Sequence, residues 1–532
     1  MDDKKPSTKF PTVRRFFAWL FSWRMIRRAL IGFAGLLTLV AIFYTVENVR
    51  GHFAWKQFKA ESEAQGERLD VAAIIPPPVP DAENFAMTPL LAPLLDYTKV
   101  PVKNSPFGET HWRDTNANQW LNSLDVTGAR NNNKQYNKIV PGNAGWRDGK
   151  MFNLAEMQAL YRSLTNLFPI APQPQSPAED VLLALSKFDK EMDELRTASL
   201  RPHSRFPIHY EENFNALLPH LSRPLRQFCL AARLRAIAEL DLNRTDAALA
   251  DVQFGLRLAD AIKTEPLLIS SLVRIAELEI MVQPIWEGLA RRRWNETQLI
   301  ELEKQLATVD MLAEFHHAIR GERNFSLEGL DLMRRNPRYL DAIGTIEGGS
   351  SPDLSPLLLI PGGWYDQNKI TIAEMHRDYS LPQVDAKAQR IDMARMRANG
   401  EKVDSLLVGF HPYRVFAKLL YPAVQNASQK FVRSQTAVNE ACIAIALERH
   451  RLKHGEFPEK LDALTPEFMA KIPHDIINGE PLHYRRTSDG LFVLYSVGWN
   501  EKDDGGDVVM SKNSNVSVDF TQGDLVWRYP AP

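Results

Sequence analysis

The residues best suited to chemistry lie near the C-terminus. The stretch SVGWNEKDDGGDVVM, Ser496 to Met510, carries Glu501, Asp503, Asp504 and Asp507 beside two adjacent glycines, and it follows the apolar run LFVLYSV. Calcium takes six to eight oxygens in loose geometry, often from carboxylates on a loop that folds round the ion. Asp503, Asp504 and Asp507 supply such oxygens, and Gly505 and Gly506 allow the tight path. The competing reading is a solvated charged turn. Four histidines, His450, His454, His474 and His483, fall close by, and the first two have the helical i, i+4 spacing that can ligate zinc. The segment HRLKH nevertheless lacks the glutamate of a HExxH site. Farther upstream, RPHSRFPIHYEENF gathers His203, Arg205, His209, Tyr210 and Glu211. Those side chains would line a polar pocket, or else the segment is a loop joining two helices. There is no G-x-S-x-G elbow, phosphate-binding P-loop or G-x-G-x-x-G turn.

The elements that must position these residues begin at a membrane. Ala29 to Val46 runs eighteen residues without a charge, just enough to cross a bilayer. Ahead of it stand Lys4, Lys5, Lys9, Arg14, Arg15, Arg24, Arg27 and Arg28, interleaved with Phe16, Phe17, Trp19, Phe21 and Trp23. That asymmetry predicts a single-pass anchor in the inner membrane, N-terminus cytoplasmic and bulk extracytoplasmic, with an interfacial segment before the span. The rival is a cleaved secretory signal, against which no clear A-x-A site follows.

At 532 residues the chain exceeds one core, and 64 basic against 65 acidic residues give no argument for nucleic acid. Cys229 and Cys442 exclude a disulfide framework or a cysteine-rich zinc site. The expected organisation is a basic and aromatic segment over 1–28, a span over 29–46, a polar helix with a proline-rich spacer and irregular lead-in over 47–150, a helical body over 151–407, and a helix with a small α+β module over 408–532. Within the body, CLAARLRAIAELDLNRTDAALADVQFGLRLADAI predicts two helices joined at LNRTD, similar to one tetratricopeptide hairpin, and Asn295 with Gln298 has capping-box spacing. Pro284 should kink the helix that contains it. In the last hundred residues a helix ends at Gly455, a short second helix lies between Pro458 and Pro466, and strands flank a TSDG turn.

ERHRLKHGEFP, PHDIINGEPLHYR and YSVGWNEKDDGGDV stand in the order of a long helix, a turn and strand, and a strand end before an acidic loop. Over about 436–508 this resembles the major pseudopilin domain of type II secretion systems, where the last loop binds calcium. The chain departs from that family at its start: Gly32-Phe33 is present, but Leu37 stands where a processed pilin has glutamate. The whole chain resembles single-pass membrane-anchored bacterial proteins, a likeness that implies no activity. The expected fold is therefore mainly α, with a transmembrane helix, an extracytoplasmic helical body and a pseudopilin-like α+β module of antiparallel strands. The expected role is binding or scaffolding of envelope protein partners, linked to type II secretion or pilus-like machinery. The alternative is an envelope hydrolase with its site near residues 201–212.

Overall fold

A computed structural model describes residues 19, 22–102, 105–128, 145–336, 339, 357, 359–511 and 518–529. Most of the basic and aromatic N-terminal segment, the Asn-rich stretch after Ala129 and most of the Gly/Pro/Ser-rich break after Asp341 lie outside them. The chain is mainly helical, with 61% helix and 9% strand, and its sheets are small and antiparallel.

One helix, Trp23–Ala64, contains the apolar run and continues well past it. Its 42 residues extend about 63 Å at 1.5 Å per residue, twice a bilayer's hydrocarbon core. It is long and apolar enough to cross a membrane, and that apolar window is entirely unburied. The helical body follows the sequence pattern closely. Pro224–Asp241 and Thr245–Asp260 form the expected hairpin, with Ala232, Ala236 and Leu240 on the first and Val252 and Ala259 on the second all fully buried. Asn243 makes the turn with a left-handed φ of 58°, a conformation asparagine tolerates. Leu268–Ala290 runs on through Pro284, and Glu296–Leu306 opens with the Asn295–Gln298 capping box.

The lead-in is more ordered than its composition predicts. Strands β1 (Tyr97–Val102) and β2 (Ser105–Trp112) pair antiparallel, and Thr115–Ser123 is a helix capped by Asp114. Pro101, Pro106 and Gly108 punctuate those strands and hide the alternation that would mark them. One hydrophobic core runs from Val71 to Tyr529, so lead-in, body and C-terminal module share it. A second, smaller core joins Trp55 and Phe58 of the first helix to Leu330, Tyr365, Phe416 and Tyr421.

In the C-terminal module Ala427–His454 ends on Gly455 at φ 86°, the left-handed cap. The expected short second helix is only a 3-10 turn, Leu461–Leu464, because prolines on both sides limit it. β5 (His483–Arg486) and β6 (Phe492–Ser496) form the TSDG hairpin, and β9 (Leu525–Arg528) adds to the other edge of β6. β7 (Val508–Met510) and β8 (Val518–Gly523) make a separate pair beyond the acidic loop.

Candidate functional site

Three places hold side chains arranged for a purpose: the exit of the first helix, the join between body and C-terminal module, and the acidic loop. At the exit, two helices cross backbone to backbone. A Cβ on Gly51 would lie 2.3 Å from the Gly363 carbonyl oxygen, and one on Gly363 would lie 1.9 Å from that of Glu47. Only glycine permits that approach. The Gly363 amide donates to Asn48 Oδ1 at 2.8 Å. Glu47, directly after the apolar run, accepts from the Trp364 indole at 3.0 Å and the Tyr413 hydroxyl at 2.9 Å. Two turns on, Lys369 sits 4.4 Å over the Trp55 ring while pairing with Asp331 and Asp366. Past the helix end, buried Arg323 donates to Glu67 at 2.7 Å and to the Arg68 carbonyl at 2.8 Å. The second half of the helix is thus gripped along its length.

At the join lies a cleft of about 490 Å³ between the end of Glu296–Leu306, the long Ala427–His454 helix, and the turn between β3 (Val384–Asp385) and β4 (Arg390–Ile391). Leu306, Val309, Val438 and Met469 give it an apolar floor, and Asp310, Lys387, Lys471 and His474 stand among its polar lining. Its walls are hydrogen-bonded to each other. Gln435 accepts from the Met311 amide at 2.7 Å, Gln389 donates to Asp310 at 3.1 Å, and His474 lies 3.1 Å from the Gln389 carbonyl oxygen. Arg449 bolts one side by reaching Glu296, Glu303 and the Phe468 carbonyl. Cys442 lines the cleft with its thiol pushed up to about 12 by burial, and then by Glu303, so it stays protonated.

No protein-family model, curated protein or solved structure matches the chain.

The motifs quoted from the C-terminus converge on one buried carboxylate. Asp475 Oδ1 accepts from the Ile477 amide at 2.9 Å and the Ser496 hydroxyl at 2.8 Å, and its Oδ2 accepts from the Val497 amide at 3.0 Å. The Tyr484 hydroxyl reaches the Pro458 carbonyl at 2.7 Å. Those residues hold turn, strand and helix end together.

The acidic loop is built round a carboxylate that sequence reasoning passed over. Asp524, almost fully buried, accepts from the Gly506 amide at 2.7 Å and the Asp504 amide at 3.3 Å. Burial raises its carboxyl above the usual range, with those two amides offsetting part of the rise. Asp503 takes the Gly505 amide at 2.9 Å and the Tyr495 hydroxyl at 3.0 Å, with His483 at 3.4 Å. Asp504 accepts from Asn500 at 2.7 Å, and Asp507 contributes its backbone oxygen to the Asp524 amide at 2.9 Å. One oxygen of each of these two carboxylates, Asp503 Oδ1 and Asp504 Oδ2, is thus taken by donors of the protein itself. Among the described residues no group of three or more His, Cys, Asp or Glu is set to hold a metal. The His450 and His454 rings lie 4.4 Å apart and flank Phe468.

The 201–212 cluster is spread over separate contacts. His203 exchanges backbone hydrogen bonds with Glu83 and Phe85, and Arg205 donates through Nε to the Pro76 carbonyl at 2.9 Å. His209 stacks on Tyr97 at 4.5 Å with Glu211 3.3 Å away, whereas Tyr210 is buried against Phe325. His209 and Glu211 are in direct contact. The segment stitches the lead-in to the helical body.

Proposed function

We propose that this chain is a single-pass protein of the bacterial inner membrane, its bulk extracytoplasmic, that binds or scaffolds a protein partner in the cell envelope. The observation that carries the anchor is the division of the Trp23–Ala64 helix: its apolar window is unburied, and the grip on the body starts only at the end of the apolar run, with Phe43 and Tyr44 on Trp364 and Leu359 and then Glu47 on Trp364 and Tyr413. A bare eighteen-residue apolar stretch needs hydrocarbon around it. A leader removed on export makes no lasting contact with the mature chain, whereas this helix continues unbroken into a hydrophobic core through Trp55 and Phe58. The basic residues ahead of the span favour a cytoplasmic N-terminus.

The partner reading draws on the cleft, which offers an apolar floor and a rim of both charges to a short segment of another protein. The long Ala427–His454 helix followed by the antiparallel β5-β6-β9 sheet fits the pseudopilin-like reading, and with it a link to type II secretion or pilus-like machinery. Binding is preferred to hydrolysis because His203 and His209 serve different contacts. Ala388 and Ala470 are exposed on the cleft's edge, so Ala388→Trp and Ala470→Trp fill it without touching the core. Capture with the full chain, anchor intact, should recover a partner that both variants lose while melting like the parent. Retention of every partner by both variants removes the cleft from the account.

A further inference from the structure

Where the helix leaves the proposed span, two loop tips carry large apolar side chains with no partner in the fold. Leu359 is 75% exposed, Val408 77% and Phe410 79%, the three most exposed large apolar residues among those described outside the Trp23–Ala64 helix. A soluble surface scatters such residues singly, whereas here they flank one structural feature. The Tyr44 hydroxyl, still within the apolar run, hydrogen-bonds the Leu359 carbonyl. Because helical side chains lean toward the N-terminus, that contact lies at or below the level of Tyr44, inside the span's own boundary. On the other loop, Tyr413 bonds Glu47 and lies under the Arg50 guanidinium, whose carbon is 5.0 Å from the ring centroid. Between the loops, Trp364 packs edge-on to Phe43 at 6.4 Å and to Tyr413 at 6.3 Å. Tyr and Trp with one wet and one apolar end are the side chains that settle at the bilayer–water boundary.

We infer that residues 359–364 and 408–413 form a collar round the helix exit, whose Leu359, Val408 and Phe410 insert into the outer leaflet of the bilayer. The inference rests on the anchor reading and deepens it: the body is seated on the lipid at three points and does not swing on a tether. Continuity with the bare helix fixes the occupant as lipid, because Leu359 is bonded to the span itself. The glycine crossing and the Glu47 contacts supply the rigidity, since a flexible join could not hold the collar at a set depth.

The test uses the full chain in bilayers with a bimane label on a single introduced thiol. Cys229 is fully buried and Cys442 nearly so, and burial holds both thiols protonated, so the native cysteines stay unlabelled. Labels are placed through Leu359→Cys and Phe410→Cys in the collar, Leu37→Cys in the span, and Leu452→Cys near the far end of the long helix, about 38 Å from its start at Ala427. Lipids with a nitroxide near the headgroup should quench and blue-shift the two collar labels and leave the Leu452→Cys label unchanged. Lipids with a deep nitroxide should quench the Leu37→Cys label. A quenched span with unquenched collar labels overturns the collar and leaves the anchor standing. An unquenched span overturns the anchor itself. Equal quenching at Leu452→Cys and Phe410→Cys also overturns the collar, because the body would then lie flat on the lipid.

Discussion

Gly363→Ala should unlock the body from the anchor helix without unfolding either. The added Cβ would sit 1.9 Å from the Glu47 carbonyl oxygen, against 3.4 Å for the near edge of ordinary contact, so the helices must part by about 1.5 Å there. That opening breaks the Gly363–Asn48 bond and strains the two donors on Glu47, which are Trp364 and Tyr413. A neutral hydrogen bond contributes about 1 kcal/mol and one to a carboxylate about 1.5–3 kcal/mol, so the full set amounts to about 4–7 kcal/mol. With part of it recovered by relaxation, a loss of about 4 kcal/mol lowers amide protection roughly a thousandfold. Hydrogen exchange of the full chain in nanodiscs reads this directly, in peptides from Gly362–Met375 and from 408–420. Peptides from the Pro224–Asp241 and Thr245–Asp260 hairpin should not change. Gly35→Ala, with nothing within 4 Å of its Cβ, is the silent control. Unchanged protection in both collar peptides of the Gly363→Ala chain would refute the crossing as the source of rigidity.

Three further outcomes follow from buried carboxylates. Glu277 is fully buried with neither oxygen partnered, and burial raises it from 4.5 to about 8. Its folded value exceeds the unfolded one, so the charged form opposes folding and stability falls as pH rises from 4.5 to 8, by about 5 kcal/mol in all. An unfolding entropy of about 1 kcal/mol/K for so long a chain makes this a decline of about 4–5 °C in melting temperature, absent in Glu277→Gln. An equal slope in parent and variant removes Glu277 as the cause. Asp475→Asn turns an amide toward the Val497 N–H and should cost about 3 kcal/mol, read as a melt lower by about 3 °C; no change would sink the central role given to Asp475. Asp524→Asn should destabilise the acidic loop far more than Asp503, Asp504 and Asp507 changed together to asparagine, with or without excess calcium. A calcium-dependent rise in melting temperature, lost in that triple variant, would instead make the loop a structural metal site.

What the sequence made legible was local. The Asn295 cap, the Gly455 terminus, the TSDG turn and the helical hairpin each announce themselves within a few residues, through one turn type or one helical face. What stayed hidden depends on contacts far apart in the chain. β9 pairs with β6 from about thirty residues away, across the acidic loop and a second hairpin, and no pattern in LVWR names its partner. Gly51 and Gly363, more than three hundred residues apart, carry no sign of each other until the crossing is seen. The burial of Asp524 and Asp475 could not be read from the sequence, because most of their partners are backbone amides and amides carry no sequence signature. In the 201–212 cluster the converse holds: residues adjacent in sequence point to separate neighbours.

The central claim is that the Trp23–Ala64 helix crosses the membrane and stays joined to an extracytoplasmic body. Protease treatment of spheroplasts making the full chain, tagged at both ends, tests it most directly. The account predicts a membrane-bound chain of full length whose C-terminal tag is digested from outside while the N-terminal tag survives with the span. A shortened chain released in soluble form, without the N-terminal tag, would contradict it.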